Sequence, residues 1–166
     1  MFFNLFFDRI YGLAYRLLGT RIQAEDATQE VCYRIQRGAH RLDLTRDPTP
    51  WVLTTTVNVC RSLRRSSAYR MDRASQSIEG SSGAEWASDP SHAPDEELLV
   101  KERERLVFQA VQELDEAMRE IVVLHDYQGF DHKEIASALG LSHEAVRKRY
   151  SRALSSLAQR LRSVIK

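Results

Sequence analysis

Four cationic side chains crowd into six residues near the end of the chain: Arg147, Lys148, Arg149 and Arg152, within SHEAVRKRYSRAL (142–154). Guanidinium and ammonium groups gathered in this way suit phosphate oxygens and the acceptor edges of bases. A second group, His125, Asp126, Asp131 and His132 in HDYQGFDH, is made of residue types that bind metals. The two histidines close one expected helix and open the next, and no third ligand stands at a metal-binding spacing, so no metal site is expected. There is no glycine-rich phosphate loop and no nucleophile motif. No catalytic residue and no cofactor is assigned, and the chain is not read as an enzyme.

The positive charge is local, because the 166 residues carry a net charge of only +1. Residues 1–73 stand at +5, 74–97 at −6, 98–140 at −4 and 141–166 at +6. Two basic blocks around an acidic middle point to two places that meet an anion. Hydrophobic content of 43% and charged content of 28% are those of a soluble globular chain. Cys32 and Cys60 are far apart and form no CxxC pair, which disfavours a disulfide framework or zinc cluster and fits a reducing cytoplasm. The apolar start MFFNLFF is interrupted by Asp8 and Arg9 and lacks a basic leader and cleavage site, so it is not read as a signal peptide. No run is long enough for membrane insertion.

The elements that must position the basic cluster follow from periodicity. Residues 3–18 have apolar positions at helical spacing, Phe3, Phe6, Phe7, Ile10, Leu13, Ala14, Leu17 and Leu18, ended by Gly19. A second helix is expected over 22–37, with Ala24, Ala27, Val31 and Ile35 inward, and 41–50 is a loop broken by Pro48 and Pro50. The run VLTTTVNV leans towards strand by propensity. A helix from Trp51 to about Ser66 is expected instead, because Val52, Thr56, Val59 and Leu63 separate from Thr54, Asn58, Arg61 and Arg65 at helical spacing. Residues 74–94 are rich in Ser, Ala, Gly and Pro and read as an acidic flexible linker, with Trp86 an isolated apolar handle. An amphipathic helix over 95–113 and a helix capped by Asp115 and stopped by Gly129 come next.

The last segment has the grammar of a helix-turn-helix. Asp131 and Glu134 form a capping box, Ile135, Ala136 and Leu139 face inward, Gly140 permits a left-handed turn, and Ser142 caps the second helix. On that helix Val146, Tyr150, Leu154, Leu157 and Leu161 form the expected buried stripe. His143, Arg147 and Ser151, with Glu144, Lys148 and Arg152 beside them, form a polar ridge suited to the major groove. The helix 22–37 carries a second polar face, with Asp26, Gln29, Glu30, Tyr33 and Arg37 on one side. By its chemistry alone that face reads as solvent surface.

YRLLGTRIQAEDATQEVCYRI and PWVLTTTVNVCRSLRR resemble region 2 of bacterial sigma factors. LDEAMREIVVLHDYQGFDHKEIASALGLSHEAVRKRYSRAL resembles region 4. With only linker between them, the plan is similar to the extracytoplasmic-function (group IV) members of the sigma-70 family. The resemblance implies an all-α fold of two small helical domains, a region 2 bundle over 1–70 and a region 4 helix-turn-helix over 95–166, joined by a flexible linker over 71–94. It implies a cytoplasmic factor that binds core RNA polymerase, at the clamp helices of the beta-prime subunit and the flap of the beta subunit. Such a factor recognises the minus-thirty-five and minus-ten promoter elements and promotes melting. Family members are often masked by an anti-sigma factor. Carried onto this sequence, Asp26, Gln29 and Glu30 would dock on polymerase. Trp51, Thr54, Asn58, Arg61, Arg64 and Arg65 would meet the minus-ten element. His143, Glu144, Arg147, Lys148, Ser151 and Arg152 would meet the minus-thirty-five element. The family often has an acid four residues after the asparagine, where this chain has Ser62. The rival reading is a stand-alone helix-turn-helix regulator acting on duplex DNA without polymerase, which would need a dimerisation surface and a sensor domain that the sequence does not display.

Overall fold

Apolar residues at helical spacing build the first three helices around one another. A computed structural model describes residues 2–43, 45–66 and 94–164. Helix α1 runs Phe2–Leu18, α2 Arg21–Gly38 and α3 Thr49–Arg65, with a short 3-10 turn, Ala39–Arg41, after α2. Ile10, Leu13, Ala14 and Leu17 of α1 bury against Ala24, Ala27, Val31 and Ile35 of α2 and Val52, Leu53, Val57 and Cys60 of α3. Thr20 caps α2 by accepting from the Gln23 N–H. Burial pushes the Cys60 thiol up to about 12, so it stays a protonated core group. The expected linker over 71–94, with Trp86, lies outside the described residues except for Pro94.

The β-branched run is helix because Val52, Leu53, Thr56, Val57, Val59 and Cys60 bury one face of it in the core, and its threonine hydroxyls are satisfied on their own backbone. Thr54, Thr55 and Thr56 each donate to the carbonyl four residues earlier, on Pro50, Trp51 and Val52, at 2.7, 2.8 and 2.8 Å. Pro50 sits in the first turn, where its missing N–H costs no helical bond.

The second group of helices comprises α4 (Pro94–Gln112), α5 (Glu116–Val122), α6 (His132–Leu139) and α7 (His143–Val164). Asp115 caps α5 through the Met118 N–H, and the helix then loosens into a π turn over Val123–Tyr127 that periodicity did not disclose. The Asp131–Glu134 capping box is formed in both directions, and Gly140 takes φ +67 at the end of α6. Ser142 Oγ accepts from the Ala145 N–H at the head of α7.

Two expected core positions are corrected. Leu154 is 43% exposed; the buried residue beside it is Ala153, seven positions after Val146, with Tyr150 and Leu157 half-buried along the same stripe. Phe7 is also exposed and stacks on Tyr11 with ring centroids 6.5 Å apart, because no described residue closes over that side of the first turns of α1. The inward positions Ile135, Ala136 and Leu139 of α6 do pack on the core.

The two helical groups touch directly, and their buried apolar residues form one continuous cluster. The joint centres on the C-terminal end of α1, whose last carbonyls have no partner within the helix. Arg119 of α5, 4% exposed, donates to the carbonyls of Leu17 at 3.1 Å, Val111 at 3.2 Å, Gln112 at 2.6 Å and Leu114 at 2.7 Å. Arg64 also donates to Leu17 O, and Gln112 Nε2 donates to Arg16 O. Tyr15 stacks on Phe108 at 5.0 Å and Arg16 lies 4.1 Å from the centre of the Tyr127 ring. Replacing Arg119 by Met keeps the apolar stem but strands buried carbonyls. We expect Arg119→Met to lower stability by roughly 3 kcal/mol or more, seen as a fall in the urea midpoint; an unchanged midpoint would show that those carbonyls are rehydrated without cost.

Candidate DNA and polymerase interface

On α7 the six expected side chains occupy one accessible side. His143, Glu144, Arg147, Lys148, Ser151 and Arg152 are all exposed, opposite buried Val146 and Ala153. Lys148 Nζ lies 3.0 Å from Glu144 Oε1, a solvent-exposed pair one helical turn apart that a phosphate can exchange at little cost. Arg149 is half-buried, so the basic ridge is carried by Arg147, Lys148 and Arg152.

The base of that ridge is aromatic. The His125 and His132 rings lie 4.7 Å apart, His132 and His143 6.3 Å, and Tyr150 packs on His125 at 4.7 Å and on His132 at 5.0 Å. His125 Nδ1 is 2.7 Å from Phe130 O and Tyr150 donates to Asp126 at 3.0 Å. These bonds tie the π turn to the start of α6 and to α7. Among the described residues no group of three or more His, Cys, Asp or Glu side chains is placed to hold a metal ion.

On α2, Asp26 and Gln29 are exposed and Glu30 is half-buried, with its carboxylate 2.7 Å from Arg34 Nε. Ile22 and Tyr33, 62% and 53% exposed, extend the same stripe at both ends. Ile22 was not singled out from sequence; its i, i+4 spacing to Asp26 was the available signal. The ridge is therefore apolar at its ends and acidic in its middle.

The residues expected on the minus-ten element divide. Thr54, Asn58 and Arg65 lie on accessible parts of α3, with Asn58 and Arg65 exposed. Trp51 is half-buried against the core, its ring 3.3 Å from where a Cβ on Gly38 would stand. Arg61 and Arg64 turn to the second helical group. Arg61 Nε and Nη2 donate to the two oxygens of Glu120 at 2.9 and 2.7 Å, and Glu120 is 3% exposed. Arg64 Nη1 lies 3.1 Å from Glu116 Oε1. Glu116, Arg119 and Glu120 were missed by sequence reasoning, which had no means of pairing α3 with α5.

Comparison with known proteins assigns a family to each half of the chain. Residues 2–70 match the model of Sigma-70 region 2, and residues 104–157 match that of Sigma-70 region 4. The chain belongs to the sigma-70 family. A match to region 2 is foreign to a stand-alone helix-turn-helix regulator, and the order of the two regions is that of the extracytoplasmic-function sigma factors. This sigma factor is 34% identical over 141 residues to the probable RNA polymerase sigma factor RfaY of Xanthomonas campestris, covering 83% of this chain and 34% of the relative. It is 24% identical over 163 residues to the ECF RNA polymerase sigma factor SigW of Bacillus subtilis, covering 97% and 87%. The chain thus spans about a third of RfaY and most of SigW. Its fold is similar to that of the sigma factor RpoE crystallised with the anti-sigma factor NepR from Bartonella quintana, with a TM-score of 0.72, 20% identity and coverage of 96% and 94%. None of the described helices is long and apolar enough to cross a membrane.

The placement of His132 in the histidine stack leads us to expect a protein that loses stability in acid. Burial, then the charges of His125, His143 and Arg147, hold the His132 imidazole below its ordinary 6.5, against a smaller opposite pull from Asp131. The unfolded chain therefore takes up a proton before the folded one does, and stability falls as pH drops below about 6.5. Urea midpoints measured from pH 7.5 to 5 should decline, and His132→Gln should flatten the decline; an identical slope in both proteins would assign the effect elsewhere.

Proposed function

We propose that this sigma factor binds core RNA polymerase, recognises the minus-thirty-five and minus-ten elements of a promoter and promotes melting. The observation that carries the reading is the ordered pair of family matches, region 2 and then region 4, on a chain whose α7 leaves six polar side chains exposed. In this reading residues 95–166 place α7 in the major groove. Arg147 and Lys148, in the first two turns, address base edges, and Arg152 addresses phosphate, with His143, Glu144 and Ser151 completing the surface. Residues 1–70 dock on the clamp helices of the beta-prime subunit through Asp26, Gln29 and Glu30, flanked by Ile22 and Tyr33. Region 4 meets the flap of the beta subunit.

The minus-ten surface is built from Asn58, Arg65 and Thr54, with Arg61 and Arg64 joining when α5 releases them. Trp51 supports it from the half-buried side. Captured single strands need this mixture of hydrogen-bonding groups and cations. Residues 71–94 join the two domains. The protein works in the cytoplasm beside polymerase, supplies recognition rather than catalysis and needs no cofactor. An anti-sigma factor that masks these surfaces would silence it.

In vitro transcription with core polymerase on a genomic library, followed by start-site mapping, tests the reading; absence of any chain-dependent start would defeat it. Arg147→Ala should lose roughly 1–3 kcal/mol of discrimination between promoter and random duplex if it makes a bidentate base contact. Equal loss on both duplexes would mark a phosphate contact only. Asp26→Arg with Glu30→Arg should weaken association with core polymerase at least tenfold while circular dichroism stays unchanged. Run-off transcription at wild-type polymerase concentrations would contradict the α2 docking face.

A further inference from the structure

The cationic end of α3 is occupied by the protein's own carboxylates. Arg61 gives two nearly parallel N–H donors to Glu120, the same forked pairing an arginine offers a phosphate. Arg64, whose side chain is 7% exposed, faces Glu116 and donates to Leu17 O. A guanidinium held in this way cannot meet nucleic acid, and two of the six residues assigned to the minus-ten element are held. The carboxylates lie one helical turn apart on α5, in the half of the chain that carries the other DNA-reading helix.

We propose that Glu116 and Glu120 form a self-inhibiting latch, in which α5 imitates the nucleic-acid backbone and keeps Arg61 and Arg64 from promoter DNA until the two helical groups part. The proposal rests on the sigma-factor reading of α3. Several features make the latch releasable. Much of the joint is polar, with Gln112 on Arg16 O, Arg9 on Gln128, and Arg119 on Leu17 O. A cleft of about 510 Å3, bordered by Arg64, Gln112, Glu113, Asp115, Glu116 and Arg119, brings solvent to the Arg64–Glu116 pair. Polar contacts of this kind between domains are replaceable by water when the domains separate. The buried Glu120 gains hydration on opening, and Arg61 exchanges one anion for another, so the ion pairs themselves favour the closed form by much less than their gross strength.

The test uses the full chain. Glu116→Gln with Glu120→Gln removes the two carboxylates and leaves both arginines in place. Gln112→Ala loosens the same joint without changing charge. Glu96→Gln with Glu102→Gln removes two exposed acids of α4 and serves as the control for net charge. Small-angle X-ray scattering should give a larger radius of gyration for both joint variants than for wild type and control. A fluorescent single-stranded oligonucleotide at low salt should bind the carboxylate variant at least threefold more tightly than the control, and Gln112→Ala should tighten binding relative to wild type. The half-saturating concentration in transcription with core polymerase should fall in the same order. Unchanged radii, or equal oligonucleotide affinity for the latch and control variants, would overturn the latch. Failure of wild type to direct any transcription would instead overturn the sigma-factor reading, so the two failures are separable.

Discussion

The C-terminal end of α1 is the constraint on which the arrangement of the chain depends. An α-helix ends with carbonyls that its own backbone cannot satisfy and with the negative end of its dipole. In this protein Gly19, at φ +87, turns the chain away and bonds its N–H back to Tyr15 O. The next two carbonyls are covered by distant side chains: Arg16 O by Gln112, and Leu17 O by Arg64 and Arg119 together. Two guanidinium groups on one carbonyl at a helix C-terminus match the sign of the field there. A Cβ on Gly19 would stand 2.7 Å from Gln112 Oε1, so the turn and the cap occupy the same space. The joint between the two helical groups is thus a helix cap supplied from across the molecule.

Local signals in the sequence were legible because their partners are near in the chain. The Asp131–Glu134 capping box, the left-handed Gly140, the Ser142 cap and Pro50 in the first turn of α3 each involve atoms within four residues of one another. The polar ridge of α7 was legible for the same reason, since helical geometry alone sorts Arg147 and Lys148 from Val146. Period counting failed at Leu154 and Phe7, where the outcome depends on how far the neighbouring helices reach rather than on spacing. The π turn over Val123–Tyr127 adds a residue to one turn and follows from no residue type in the segment. The joint was not legible at all. Arg119 and Leu17 are 102 positions apart, and Arg61 and Glu120 are 59 apart. Nothing in MREIVVL marks its arginine as buried until α1 is placed over it.

The alternation of charge along the chain takes on a second meaning once the halves are seen together. From sequence, the two basic blocks were read as two places that meet an external anion. Part of the complement is internal: Arg61 and Arg64 of the first block meet Glu116 and Glu120 of the later one. By contrast the basic block of α7 keeps Arg147 and Arg152 exposed. In the proposed function, one nucleic-acid surface is therefore presented and the other is partly closed, although the sequence charges of the two blocks are similar.

The threonine run of α3 has a consequence for chemical selectivity. Thr54 spends its only hydroxyl hydrogen on Pro50 O, 2.7 Å away. What remains on that oxygen is lone-pair density. A nucleobase brought against Thr54 is therefore welcomed through an exocyclic amino group, as adenine or cytosine presents, and is met unfavourably through a keto oxygen. In the proposed minus-ten role, the Thr54–Pro50 hydrogen bond would thereby fix the polarity of one letter-reading contact.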